Sequence, residues 1–234
     1  MDALDHLAGP AADLLRRVDD LLAEAGAPDT HRIWPLLHRL RLLPGAAVEA
    51  IVALRPGPLP AASAGLRTLI DRYGEAAATL DTEVEWAGGA AELFAAHRAA
   101  LAEHLTGGPE SLAGRLGESL SFLESTGEWI SAGRAALART LAAVLTSAEA
   151  VAVVIGPGAA PPAGAGEFSV ATVALTAPAA AAEIGARVLA TVAEIHDRGE
   201  TIRQRWSPDL AEVATFRAPP PTVSRLDGTT RLVF

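Results

Sequence analysis

Six histidines and a surplus of carboxylates are the side chains in this chain with the widest chemical reach. His97 and His104 stand seven residues apart, as do His31 and His38. On a helix that spacing separates two rings by about 10 Å along the axis, too far for one metal ion to hold both. Helical zinc sites place their ligands three or four residues apart. Both pairs therefore read as packed or partly exposed histidines, and His196-Asp197 as a surface pair. Acid pairs such as Glu83/Glu85 and Asp19/Asp20 have no neighbour that would separate their proton affinities, as paired general acids and bases require. Ser119 and Ser121 lack the glycine-flanked elbow of a hydrolase nucleophile. The segment Gly156-Pro157-Gly158-Ala159-Ala160-Pro161 lacks the third glycine of a dinucleotide loop, and its prolines oppose the helix start such a loop needs.

Two absences narrow the chemistry further. The chain has no Cys, which excludes disulfides, thiolate nucleophiles and Cys-ligated zinc. Every one of its 19 basic residues is Arg. Without Lys there is no phosphate-binding lysine for a P-loop and no side-chain amine for a Schiff base. The residues thus predict no catalytic site, no cofactor and no metal. Net charge is −9, the reverse of a phosphate-binding surface, so nucleic acid is not an expected partner. The one basic cluster, His31–Arg41 with Arg32, Arg39 and Arg41 around Trp34, reads as the solvated edge of an amphipathic helix.

What positions these residues is a set of helices. Half of the 234 residues are hydrophobic and only 4% aromatic, so the core must be built of Leu, Val, Ile and Ala. Ala and Leu are strong helix formers. The expected fold is all-α: an antiparallel helical bundle with a long helical hairpin and a flexible C-terminal tail. A first helix is expected from Pro10 to Gly26, on the preference for Pro in the first turn and Gly at the C-terminal end. Shorter helices follow over Pro35–Leu43 and Ala46–Leu54, and Pro56–Pro60 breaks the chain.

Leu66, Leu69, Tyr73, Ala76, Leu80 and Val84 then recur at spacings of three and four, a coiled-coil-like seam. Past Trp86-Ala87-Gly88-Gly89, the residues Leu93, His97, Ala100 and His104 share one side, with Phe94, Leu101 and Leu105 beside them. From Ser111 a long pattern resumes through Leu112, Leu116, Leu120, Leu123, Ile130, Leu137, Leu141, Val144 and Val151, interrupted only by Arg134. Gly156–Gly166 reads as a linker. A last helix is expected from Pro178 to about Trp206, carrying Ile184, Val188, Val192, Ile195 and Ile202. The remainder, with Pro219-Pro220-Pro221, reads as extended or disordered. The expected divisions are N-terminal helices over 1–56, a helical hairpin over 57–155, a linker over 156–177, and a helix with a tail over 178–234.

A helix, a Trp-x-Gly turn and a second helix resemble the WXG100 (ESAT-6-like) family of helical-hairpin proteins. The motif here is Trp86-Ala87-Gly88, followed by Ala90, Ala91 and Phe94, and the resemblance covers about Ala61 to Val154. Gly88 or Gly89 can take the positive φ of a tight turn, and the Trp ring can cover the open end of the hairpin. The resemblance implies dimerising helical proteins exported by a type VII (ESX-like) secretion system, with the partner a second copy or a type VII-associated effector. The family's Tyr-x-x-x-Asp/Glu export signal is missing. The only Tyr, Tyr73, precedes the motif, and Ala77 stands four residues on.

The expected function is a non-catalytic interaction protein acting through helix–helix association. The alternative is a membrane-active protein inserting the apolar run Phe168–Ala182, motivated by a mean hydropathy of +0.26. Asp2 and Asp5 stand where a secretory signal would be basic, and no stretch is long enough for a clear span. The expected location is the cytoplasm, or outside the cell by a route that needs no signal peptide, and the membrane is not an expected partner.

Overall fold

The computed structural model describes residues 2–82, 85, 87–155 and 176–215, with side chains as far as 208. Every regular element among them is a helix: α1 (Ala3–Ala25), α2 (Ile33–Leu40), α3 (Pro44–Ala53), α4 (Leu59–Leu80), α5 (Gly89–Thr106), α6 (Leu112–Leu145), α7 (Ala148–Ile155) and α8 (Ala177–Thr215). The tail beyond 215 and the linker at 156–175 lie outside the described residues, as does most of the run Phe168–Ala182. The end of that run, Ala177 and Ala180–Ala182, is buried at the start of α8.

The core forms where α1, α2, α3, α7 and the second half of α6 close around α8. The helix α8 has apolar residues on more than one face there. Ala180, Ala181, Ile184, Ala186, Val188 and Leu189 are all fully enclosed, the pattern of a helix surrounded by others and not of a surface helix. Small residues let the neighbours close in. A Cβ on Gly185 would come 2.8 Å from Ile33 Cδ1 and 3.1 Å from Pro44 Cγ, so α2 and α3 dock directly on its backbone. Opposite, α6 and α8 run antiparallel. Thr140 meets Thr191 at 2.9 Å, Trp129 donates to the Ile195 carbonyl at 2.8 Å, and the rings of Phe122 and Trp206 lie edge to face at 6.2 Å.

The helix α1 starts seven residues before the expected Pro10. Asp2 accepts from the Asp5 N–H at 3.0 Å while Asp5 accepts from the Asp2 N–H at 3.2 Å, a reciprocal cap that is stronger than a Pro signal. Pro10 sits inside the helix. The long pattern from Ser111 to Val151 is two helices that meet at 62°, with the break at Thr146-Ser147. Ser147 accepts from the Ala150 N–H and so starts α7. The last helix continues past Trp206 to Thr215 with Pro208 inside it. No single helix among the described residues is long and apolar enough to cross a membrane, although α6 and α7 would pass together by length and composition.

Candidate interaction surface

The first half of α6 leaves the core and carries α4 and α5 with it. Ser111 caps α6 by accepting from the Gly114 N–H at 3.1 Å, and its hydroxyl donates to the Gly108 carbonyl at 2.6 Å. From Leu112 to Trp129 almost every residue is half-buried, whereas Ile130, Leu137, Leu141 and Val144 are fully enclosed. The seam positions Leu116, Leu120 and Leu123 fall on the half-buried stretch. An ion pair between Arg67 and Glu124 ties α4 to α6.

On α4 the enclosed residues are Ser63 and Ala77, with Leu66, Ile70, Tyr73 and Leu80 half-buried and Leu69 facing solvent. Contacts made by small residues bring α4 close to its neighbours but bury little area. The Trp86 of the hairpin motif lies outside the described residues. Gly88 is described, and its φ of +111° is a conformation that suits glycine at the entry to α5.

The helix α5 contains no buried residue. Leu93 is 69% exposed, and Phe94 and Leu101 also face solvent. His97 and Ala100 share that exposure, while His104 is half-buried. Besides its other contacts with α4, α5 is tied to the end of that helix by Arg98. Its guanidinium donates to the carbonyls of Leu80 and Thr82, the latter at 2.6 Å, at the end of α4, where the last carbonyls have no helical partner. It also lies over the Phe94 ring at 5.7 Å. The result is a helix that touches α4 and α6 without enclosing any side chain and that turns Leu93, Phe94 and Leu101 outward.

The hydroxyls of Ser119 and Ser121 donate to the backbone carbonyls of Arg115 and Gly117, each at 3.0 Å. His31 accepts from the Ile33 N–H and stands 3.6 Å from Glu183, and Asp197 pairs with Arg39. Among the described residues no three His, Asp or Glu side chains converge as metal ligands. Burial between α1 and α3 pushes the Asp19 carboxyl up, although it accepts from the Gly45 N–H at 3.1 Å. The adjacent Asp20 and Glu49 on α3 add to the rise, but the burial that dominates it comes from packing against α3, whose Gly45 follows Asp19 by 26 residues.

The polar centre that sequence reasoning passed over is Arg134, the one interruption in the α6 seam. It is 2% exposed. It donates to Asp2 at 2.6 and 3.0 Å, to Asp5 at 2.7 Å, and to the carbonyls of Val52 and Leu54 at 2.8 and 3.0 Å. One guanidinium thus joins the N-terminus of α1 to the C-terminus of α3, where the helix dipoles favour carboxylates and a cation respectively. The hydrogen bonds from Arg134 hold the Asp2 carboxyl well below the usual carboxylate range; Asp5 is lowered by the Asp2 cap and by Arg134. Its donors face carboxylates and carbonyls of the protein itself, the arrangement of a structural clamp. Compared with known proteins, the chain matches no family model, no curated protein and no solved structure.

Proposed function

We propose that this protein is a non-catalytic helical interaction protein that associates through the outer side of α5, first with a second copy of itself. The observation that carries this reading is the absence of any buried residue on an 18-residue helix that exposes Leu93, Phe94 and Leu101. In proteins a helix takes most of its stability from packing an apolar face and not from propensity. Leu93, Phe94 and Leu101 supply such a face, and Leu69 on α4 is exposed as well. The contacts between α4 and α5 on either side of the Trp86-Ala87-Gly88 motif, with Gly88 at positive φ, support the WXG100-like hairpin reading. On that reading the protein is a type VII secretion substrate or the partner of one.

Sedimentation velocity over a range of concentrations tests the association. The wild type is expected to pass from monomer to dimer, and Leu93→Ser/Leu101→Ser to weaken dimerisation at least tenfold with melting unchanged. A wild type that stays monomeric at every concentration overturns the reading. Appearance in the culture supernatant only when the type VII ATPase is present tests the export part.

A further inference from the structure

The residues from Thr30 to Val48 form an acid-free stretch with three arginines and two histidines in a chain of net charge −9. The structure folds this stretch as α2 and the turn into α3. Ile33 is enclosed and Leu36, Leu37 and Leu40 pack against the core. The opposite side carries Trp34, Pro35, His38, Arg39, Arg41 and Leu42, all exposed. Trp34 is 41% exposed although its indole N–H is held by the Pro28 carbonyl at 2.9 Å, so a rigid aromatic plate stands at the surface. Leu42 and Leu43, 40% and 41% exposed, stand at the other end of the same short helix.

Arg41 connects the two ends. It has φ +54°, the only positive φ of a non-glycine among the described residues, and its N–H closes α2 on the Leu37 carbonyl at 2.8 Å. Arg41 is exposed and stands next in the chain to the exposed Leu42 and Leu43, with no ion pair among the described residues. Neighbouring arginines are partly neutralised from α8, Arg32 by Glu183 and Arg39 by Asp197. Both members of the Arg39 pair are about half exposed, so that contact is weak and exchangeable.

We infer that the outer side of α2, from Trp34 to Leu43, docks on the interface of an anionic lipid bilayer. Trp and Leu beside Arg is the composition that seats a helix at the boundary between headgroups and acyl chains. None of the residues from Trp34 to Leu43 lines the grooves between α1 and α3, between α1 and α7 or between α6 and α8. A protein partner anchors best in concave pockets, whereas a fluid headgroup layer accommodates protruding side chains. Elsewhere the acidic chain is repelled by an anionic surface, so this stretch also sets the orientation.

Because the chain has no Cys, Leu42→Cys gives a single site for an environment-sensitive fluorophore, and Leu93→Cys on α5 gives a control. The probes are vesicles of phosphatidylcholine alone and of phosphatidylcholine with phosphatidylglycerol in equal parts. Expected is a blue shift at position 42 with the anionic vesicles only, reversed by high salt, and little change at position 93. Trp34→Ser/Arg41→Glu should reduce co-flotation at least tenfold with an unchanged circular dichroism spectrum. If that pair of changes disturbs folding, the position-42 signal in an otherwise native chain still decides. No shift with either vesicle, an equal or larger shift at position 93, or salt-sensitive capture by polyglutamate without vesicle binding would each overturn the inference, the last assigning the corner to an acidic protein.

Discussion

Arg134 occupies a position that an apolar seam would give to Leu or Ala, and it is held there by the carboxylates of Asp2 and Asp5 at the start of α1 and by the carbonyls of Ile51, Val52 and Leu54 at the end of α3. Removing one partner of such a cluster leaves the others desolvated and unpaired, which costs more than the intact pair contributes. Arg134→Met is therefore expected to lower stability by about 3 kcal/mol, at the low end for a buried pair because Asp2 remains half exposed. Denaturant unfolding checks this, and a loss within the range of a surface change would contradict it. The clamp also predicts an acid response. Asp2 and Asp5 have folded proton affinities below their unfolded values of about 3.9, so they add stability above that pH and lose it as pH falls. Glu149 and Glu183 act in the same direction: its own backbone N–H, Ser147 and Arg187 lower the first, and Arg32 and Arg187 hold the second down against the opposing effect of burial. Asp19, raised by burial, works the other way. The melting temperature should be flat from pH 7 to about 5 and fall steeply below 4, with a shallower fall in Arg134→Met. A parallel curve for the variant would remove Arg134 from the acid response. Nothing in the order of residues reveals this role, because its partners lie 80 to 132 positions away.

Local patterns were legible where they are local. The existence of α1 to α6 and of α8 follows from spacing and from Pro and Gly punctuation, as does the all-helical class. The bounds were less legible: caps decide the start of α1 (Asp2 with Asp5) and of α7 (Ser147), α2 runs Ile33–Leu40 and not Pro35–Leu43 because Arg41 ends it in a left-handed turn, and α8 runs past Trp206 through Pro208. The enclosure of α8 was not legible. Its alternation of Ala with Ile, Val and Leu suits both a surface helix and a helix surrounded on all sides, and only the docking of α2 and α3 distinguishes the two. That docking makes a sharp prediction at Gly185. A methyl group there meets Ile33 and Pro44, which are themselves fully packed, so Gly185→Ala should destabilise by about 1–3 kcal/mol despite alanine's better helix propensity. A neutral or stabilising result would mean that α2 and α3 sit further from α8. The same substitution at Gly74 on α4, where a Cβ meets nothing within 4 Å, is the matched control and should stabilise by up to about 1 kcal/mol.

The whole molecule divides its stability unevenly. Enclosed aliphatic side chains concentrate where α8 meets α1, α2, α3, α7 and the second half of α6, while α4, α5 and the first half of α6 project with half-buried seams and an apolar α5 surface. The seam residues Leu66, Tyr73, Leu80, Leu116, Leu120 and Leu123 could be picked out by spacing, but not their partial burial, which depends on how few neighbours reach the arm. Hydrogen exchange of the α5 amides in dilute and concentrated protein tests the central claim most directly. The account predicts fast exchange over Gly89–Thr106 in dilute solution, marked protection on concentration, and α8 amides from Ala180 to Ile195 that stay slow throughout. An α5 already as protected as α8 when dilute, or protection that rises anywhere but on α5 and the adjoining face of α4, would contradict it.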